Sequence, residues 1–300
     1  MKYVDVFLKN VAQVVFMNNK WTGLLILIGL FIANWEVGLA AAIGSLLSLL
    51  LAPLFNYSDE EINNGLAGYN SVLTAIGLAL FLQSSIIAWV VLIVATILTL
   101  PVGAAVREFL KPFGVPMLTF PFVLTTWLVL AMTTQFGKLH VKLDILPQHI
   151  KHPVINHDHI SWISGIITNF SEIFLVTSII GSILIIIGIF IGSVRGGIFA
   201  VISSVLAVVF IVLLGGDYPS ITNGLYGYNS ILTGIALGAT FQTKLNRYVA
   251  VITGLLLTVV MHGALATMLA PVGLPIFTAP FIFATWIVLY AGTTRPSSEA

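Results

Sequence analysis

The residue of this chain best placed to do chemistry is Glu172, which stands where a long apolar run begins at Phe170. A carboxylate costs several kcal/mol at membrane depth, so it should face a cavity or a partner, unless it lies at the membrane edge and reaches water. Gln13 stands 159 residues earlier in a similar context. Glutamine and glutamate have nearly the same shape, and both present a side-chain oxygen that accepts hydrogen bonds. A site that uses this oxygen would tolerate either residue, whereas a site that needs a titrating proton in both halves would not.

A second pair of residues, Thr119 and Thr278, lies between prolines. The segment 115–122 reads Val-Pro-Met-Leu-Thr-Phe-Pro-Phe and returns at the same offset, over 274–281, as Leu-Pro-Ile-Phe-Thr-Ala-Pro-Phe. Proline lacks an N–H and fits the first turn of a helix, so this pattern predicts a break followed by a new helix. Such backbone is tolerated in a membrane only inside protein or along a wet cavity. Both threonines are therefore expected to offer hydroxyls to a passing solute, a packing kink being the alternative.

A third repeated block is rich in glycine. Residues 64–74 read Asn-Gly-Leu-Ala-Gly-Tyr-Asn-Ser-Val-Leu-Thr, and residues 223–233 repeat most of this pattern. The glycines allow close backbone approach, as in tight helix packing. Asn70 and Asn229 are expected to bond backbone near a helix break. An aromatic ring and a leucine one helical turn later share a face and could wall a flat slot; these residues are Tyr69, Leu73, Tyr228 and Leu232.

The composition indicates a protein of the lipid bilayer. Hydrophobic residues make up 58% of the chain and charged residues 8%, against roughly a quarter charged in soluble domains. We therefore predict an all-α polytopic membrane protein. Five apolar segments are expected in each half when short or interrupted ones are included. They are 22–35, 37–54, 66–82, 86–106 and 115–135, then 176–194, 197–214, 225–241, 249–269 and 275–292.

The odd number of segments sets the predicted architecture. A duplicated unit with five spans must enter the membrane in opposite senses, which predicts two inverted repeats with re-entrant or broken helices around a central pore. The repeats are predicted at 1–135 and 162–300, joined by a polar linker at 136–161. With both termini in the cytoplasm, most basic residues fall inside, as the positive-inside rule requires. They are Lys2, Lys9, Arg107, Lys111, Arg195, Lys244, Arg247 and Arg295.

The linker carries most of the histidines, namely His140, His149, His152, His157 and His159. Imidazole is a good metal ligand, so a metal site is conceivable there. A solvated linker is the preferred interpretation, because no carboxylate or thiolate set completes a recognisable spacing. We expect neither a metal nor a cofactor.

Together these elements resemble the urea transporter family over essentially the whole chain. The motif Leu-Pro-x-x-Thr-x-Pro-Phe is specific to that family; the second copy matches fully, and the first has Val115 in place of leucine. The resemblance implies a homotrimer in the cell inner membrane. Each protomer would carry its own pore, through which urea moves passively down its gradient. The lipid bilayer is then the expected surrounding, and no nucleic-acid partner is expected.

The resemblance also implies roles for individual residues. Hydrogen-bond acceptors for urea would be Gln13, Glu172, Thr119 and Thr278. The slot walls would be Phe16, Tyr69 and Leu73 on one side, and Leu175, Tyr228 and Leu232 on the other. Leu175 departs from its counterpart Phe16, so one slot is expected to be less aromatic, with Phe174 as a possible replacement.

Four other functions compete with this interpretation. An ammonium channel would place histidines along its pore, but His262 alone lies in an apolar span and position 103 holds glycine. A water or glycerol channel would need a duplicated Asn-Pro-Ala-like motif, which is absent. A membrane enzyme would need a metal-ligand set, a nucleophile with its base, or a phosphate loop, and none of these appears in the sequence. A proton-coupled transporter stays open because Glu172 could titrate.

Overall fold

The computed structural model describes residues 2–143 and 154–293 and is helical almost throughout that part. Three residues that carried predictions, His149, His152 and Arg295, lie outside the described residues. The helices of the first half are α1 (Lys2–Ala12), α2 (Lys20–Ala33), α3 (Trp35–Leu51), α4 (Asp59–Asn63), α5 (Tyr69–Phe81), α6 (Ile86–Leu110) and α7 (Phe120–Met132). Those of the second half are α8 (Trp162–Glu172), α9 (Ile179–Gly192), α10 (Val194–Leu213), α11 (Tyr218–Thr222), α12 (Tyr228–Ile235), α13 (Arg247–Leu269) and α14 (Ala279–Ala291).

Polar caps begin the apolar helices at corresponding positions of the two halves. Asn19 accepts hydrogen bonds from the first backbone N–H groups of α2, and Asn34 does the same for α3. In the second half, Ser178 and Ser193 cap α9 and α10. These side chains satisfy donors that have no partner within the helix, which fixes where each apolar run starts.

The helices differ in length more than the predicted segments do. In the described ranges, four are long and apolar enough to cross a membrane, and α1 with α2 forms a fifth candidate bent by 77°. The predicted segments 66–82 and 115–135 contain shorter helices, α5 and α7, each preceded by irregular backbone. The helices α1 and α8 lie where no span was predicted, because α1 is amphipathic and carries Lys2, Asp5 and Lys9.

The helices α2 and α9, one from each half, pack against each other. A Cβ atom added to Gly29 would lie 3.2 Å from the Gly181 oxygen, and one added to Gly181 would lie 3.2 Å from the Gly29 oxygen. Thr22 Oγ1 donates to the Gly188 carbonyl at 2.6 Å. Small residues at these positions allow the two backbones to approach closely, as is common between helices in membranes.

Two tryptophans link the halves reciprocally. The indole Nε1 of Trp127 donates to the Pro275 carbonyl at 2.8 Å, and that of Trp286 donates to the Pro116 carbonyl at 2.7 Å. The donors correspond to each other at the 159-residue offset, and so do the acceptors. The two halves thus make the same contact to each other.

Candidate functional site

A break in the backbone precedes α7 and α14, at the two Pro-x-x-Thr segments. Leu118 and Phe277 stand in these breaks with φ values of 49° and 47°. This left-handed region is uncommon for residues with a Cβ and is retained where surrounding contacts hold it. The predicted break followed by a new helix is therefore present in both copies.

Two side chains hold the first break. Tyr69 Oη donates to the Leu118 carbonyl at 2.6 Å, and Asn70 Nδ2 donates to the same oxygen at 3.1 Å. Asn70 Oδ1 accepts from the Phe122 N–H at 3.1 Å, in the first turn of α7. Asn70 thus satisfies one acceptor and one donor that the break leaves without helical partners.

The second break is held in the same way. Tyr228 Oη donates to the Phe277 carbonyl at 2.6 Å, and Asn229 Nδ2 donates to it at 3.1 Å. Asn229 Oδ1 accepts from the Phe281 N–H at 3.3 Å. The prediction that both asparagines bond backbone near a helix break is confirmed. Both tyrosine hydroxyls are used as donors here, which leaves the rings as the parts that face a cavity.

Glycines allow the segments that precede α5 and α12 to pack closely against α1 and α8. Gly65 has a φ of 76°, and a Cβ there would lie 2.5 Å from the Lys9 carbonyl carbon. Gly224 has a φ of 82°, and its Cβ would lie 2.5 Å from the Asn169 nitrogen. The predicted close approach is confirmed at both positions, and it brings each glycine block beside the helix that leads to Gln13 or Glu172.

The first cavity has a volume of about 420 Å³. Gln13, 8% exposed, reaches it from the end of α1, and its Nε2 donates to the Asn64 carbonyl at 2.7 Å. Because the amide nitrogen is fixed in this way, the amide oxygen is the group available to the cavity. The lining residues are Gln13, Phe16, Glu61, Leu66, Tyr69, Arg107, Pro116, Met117, Leu118, Thr240 and Phe241.

The second cavity has a volume of about 380 Å³. Glu172 is 5% exposed, and its Oε1 accepts from Thr177 Oγ1 at 2.5 Å. A carboxylate has about four lone-pair sites, so the remaining acceptors are available to the cavity. The lining residues are Phe81, Glu172, Leu175, Thr177, Leu225, Tyr228, His262, Pro275, Ile276 and Phe277.

The two linings correspond to each other along the sequence. Pairs at the 159-residue offset include Gln13 with Glu172, Phe16 with Leu175, Tyr69 with Tyr228, and Pro116 with Pro275. Thr119 and Thr278 line neither cavity; their Oγ1 atoms lie 2.7 Å apart in a hydrogen bond, and each residue is 1% exposed. The threonines thus join the two halves in the buried interior.

The structure brings together most of the residues predicted for the site. Gln13, Phe16 and Tyr69 line the first cavity, and Glu172, Leu175 and Tyr228 line the second. Leu73 and Leu232 are fully buried in the core and line neither cavity.

Phe174 does not replace the ring that is missing at Leu175. It is fully buried and does not line the second cavity, so that prediction is wrong. Phe81 and Phe277 supply the rings instead, with centroids 5.5 Å apart. In the first cavity, Phe16 packs 5.7 Å from Phe241. Both cavities therefore have aromatic walls, although different positions supply them.

The first cavity also contains an ion pair that the sequence analysis did not assign to the site. Arg107 donates to Glu61 Oε1 at 2.6 Å, and its guanidinium carbon lies 4.8 Å from the Tyr57 ring centroid. Burial raises the pKa of the Glu61 carboxyl, but hydrogen bonds from Ser58 and the charge of Arg107 outweigh it, so the pKa lies below its usual value. Arg107 was predicted as a cytoplasmic loop charge; nothing in its local sequence indicated a cavity.

The second cavity has its own unassigned residues, Thr177 and His262. As for metal ligands, residues 2–143 and 154–293 contain no group of three His, Cys, Asp or Glu side chains that could hold an ion. In the described part of the linker, the His157 ring packs on Tyr218 and pairs with the Gly215 carbonyl at 3.1 Å.

Apolar helices of membrane-spanning length, together with two cavities that pair acceptor oxygens with aromatic rings, define a membrane transport protein. The chain belongs to the urea transporter family, whose model, described as "Urea transporter", matches residues 4–293. This is a family of membrane-embedded transporters and not of enzymes. The chain is 28% identical to Urea transporter 1 of Ovis aries and of Capra hircus, in each case over 99% of this chain and 79% of the relative. It is 27% identical to Urea transporter 1 of Mus musculus over the same shares.

Proposed function

We propose that this protein conducts urea passively down its concentration gradient through a pore in each protomer. The two cavities are the mouths of this pore, and the Thr119–Thr278 pair lies at its narrow centre. One observation carries the proposal: corresponding positions of the two halves present an acceptor oxygen beside an aromatic ring, once in each cavity.

The chemistry of this arrangement suits urea. Urea is flat and neutral, with N–H donors and one carbonyl acceptor along its edge, so dehydration is the main cost of entering a narrow pore. Gln13 Oε1, the Glu172 carboxylate and the two threonine hydroxyls replace water at that edge. Several weak, similar sites in a row also allow the solute to leave, as conduction requires.

Side-chain walls cover the flat faces of the solute. Phe16 and Tyr69 do this in the first cavity, and Leu175 and Tyr228 do it in the second. The two buried leucines, Leu73 and Leu232, lie one helical turn beyond the tyrosines, so they contact urea only where the path narrows toward the centre.

The pore forms between two inverted repeats, residues 1–135 and 162–300, joined by the linker 136–161. The reciprocal Trp127 and Trp286 bonds and the Thr119–Thr278 bond support a two-fold relation between them. The odd number of predicted spans and the distribution of basic residues support inversion, with both termini in the cytoplasm. The resemblance to the family supports a homotrimer in the cell inner membrane.

Stopped-flow light scattering on proteoliposomes tests the proposal, with urea, thiourea, ammonium and water compared in one preparation. We expect rapid urea flux that needs no proton gradient. Proton-coupled transport is the second candidate, because Glu172 is a buried carboxyl at the second cavity; uptake that requires an imposed gradient would favour it. Ammonium flux without urea flux would contradict the proposal and favour an ammonium channel.

A further inference from the structure

His262, on α13, is a polar residue of the second cavity that the proposed pathway does not use. Its side chain is 7% exposed, and Nδ1 has no hydrogen-bond partner among the described residues. Buried polar atoms in folded proteins almost always have a partner, whether protein, water or ligand. Nδ1 itself is enclosed, whereas Nε2 is not, so Nε2 is the ring nitrogen that a molecule in the cavity can contact.

The corresponding place in the first half is filled differently. Position 103 is glycine, and a Cβ there would lie 2.4 Å from Tyr57 Oη. That hydroxyl already donates to the Leu100 carbonyl at 3.1 Å. The first half thus places a polar group with a backbone partner where the second half places an imidazole that has none.

The neighbour of His262 differs between the halves as well. The Tyr226 ring lies 4.8 Å from the His262 ring at an angle of 43°, whereas the corresponding residue in the first half is Ala67. Both members of this contact are therefore particular to the second half. The stacked tyrosine holds the imidazole plane without using its nitrogens.

We propose that His262 binds urea in the second cavity. The proposal rests on the urea transport proposed above. A neutral imidazole has one N–H donor and one acceptor nitrogen. It can donate to the urea carbonyl or accept from an amide, while the Glu172 carboxylate accepts from another amide N–H. The first cavity has no imidazole among its lining residues, so the two mouths hold urea by different atoms.

The direct test is nuclear magnetic resonance of the full chain in lipid nanodiscs, with histidine labelled by ¹⁵N. The His262 signals are assigned by their loss in His262→Phe or in His262→Gln. On titration with urea, they should shift with saturation, while those of the exposed His157 and His159 should not. Glycerol, which is neutral but not planar, should cause no saturable shift. If urea moves the His262 signals no differently from the exposed ones, His262 contacts only water and the proposal is overturned.

Flux measurements give a second, independent test. His262→Phe keeps the ring and removes both nitrogens, and it should raise the half-saturating urea concentration by about two- to tenfold, the effect of one hydrogen bond. His262→Gln keeps a donor and an acceptor and should restore much of the affinity. His159→Phe makes the same change at an exposed histidine that lines neither cavity, and it is the matched control with wild-type behaviour.

The outcomes separate this proposal from the function on which it rests. If the wild-type chain passes no urea, the proposed function fails at that step. If the wild type passes urea and His262→Phe leaves the half-saturating concentration unchanged, this inference alone is overturned. If His262→Phe fails to fold, the urea titration of the wild-type protein still tests whether His262 binds urea. Its signals are then assigned with His262→Gln.

Discussion

The first cavity contains Gln13 and the ion pair of Glu61 with Arg107, whereas the second contains Glu172 and His262. The backbone around them hardly differs. A tyrosine hydroxyl donates to a strained carbonyl at 2.6 Å in both halves. The two halves thus build the same frame of backbone oxygens and ring faces, whereas the polar groups at the two cavities differ.

The repetition of the frame extends to its most strained positions. Residues with left-handed φ in the described ranges fall into pairs separated by the same offset. Such conformations cost about 1–3 kcal/mol each for a residue with a side chain. The pairs are Phe16 with Leu175, Asn56 with Gly215, Gly65 with Gly224, Gly114 with Gly273, and Leu118 with Phe277.

The largest effect is expected at the centre, which both halves build together. Replacing both Thr119 and Thr278 with valine keeps their shape and removes two hydroxyls, each worth ~1 kcal/mol to a dehydrated solute, so urea flux should fall about 10- to 100-fold. Stopped-flow flux per folded protomer measures this.

A matched control for this double variant is Thr99→Val with Thr258→Val. These threonines also correspond at the offset, and they bond Thr74 and Thr233 within their own halves, away from both cavities. Flux per folded protomer should be retained there. Unchanged flux in the Thr119 and Thr278 variant would remove the central hydroxyls from the mechanism.

The next effect distinguishes the two mouths through reciprocal swaps. Gln13→Glu places a carboxylate oxygen where Nε2 now donates to the Asn64 carbonyl at 2.7 Å, so it should lower the free energy of unfolding by about 1–3 kcal/mol. Glu172→Gln keeps an acceptor for Thr177 and should change urea flux by no more than about threefold, because only charge assistance is lost. Thermal unfolding measures the stability change, and stopped-flow light scattering measures the urea flux, in both variants.

Equal changes in the free energy of unfolding for Gln13→Glu and Glu172→Gln would show that the two residues are held alike. That result would contradict the different hydrogen bonds that Gln13 and Glu172 make. Loss of all urea flux in Glu172→Gln, with the protein folded, would favour proton coupling. Glu172→Ala is the comparator that removes the acceptor altogether, and its flux should fall about tenfold.

A smaller and symmetrical effect is expected from the tyrosines. Tyr69→Phe and Tyr228→Phe each remove one donor to a carbonyl that retains its asparagine partner. Each should cost about 0.5–1.5 kcal/mol of stability. The two costs should agree, and a clear inequality would contradict the equivalence of the two breaks. Tyr248→Phe, at a residue that is 70% exposed, is the control.

The smallest effect belongs to the first cavity alone. Because the pKa of Glu61 is lowered on folding, its ionised form stabilises the folded state above its unfolded pKa of about 4.5. That contribution is lost as the pH falls through the folded pKa. Thermal unfolding between pH 7 and pH 3 should therefore lose part of its pH dependence in Glu61→Gln. A profile in Glu61→Gln that matches the wild type would contradict this prediction.

Much of the frame could be predicted from the sequence, since the offset and the proline pattern identify both breaks and the asparagines that bridge them. The short lengths of α5 and α7 could not be predicted, because the residues before each helix are also apolar and were therefore included in the predicted span. Leu73 and Leu232 share a helical face with the tyrosines, but whether a cavity reaches that deep depends on the packing of other helices.

The polar residues of the mouths were the least predictable part of the site. Arg107 and Glu61 are 46 residues apart, and each alone looks like an ordinary loop charge. His262 was noticed as an isolated histidine, but its position in a cavity follows from how α13 packs. Membrane topology was predicted from the basic residues, and it stays a prediction.

The hydrogen bond between Thr119 and Thr278 can run either way, because either oxygen is able to act as the donor. Two hydroxyls in one such bond use only one of their two protons, so one remains free to turn toward a solute. Reversing the bond exchanges the free proton between the halves without moving a heavy atom. In the proposed pore, a urea molecule arriving from either cavity would therefore meet the same centre, and this pair would set no preferred direction.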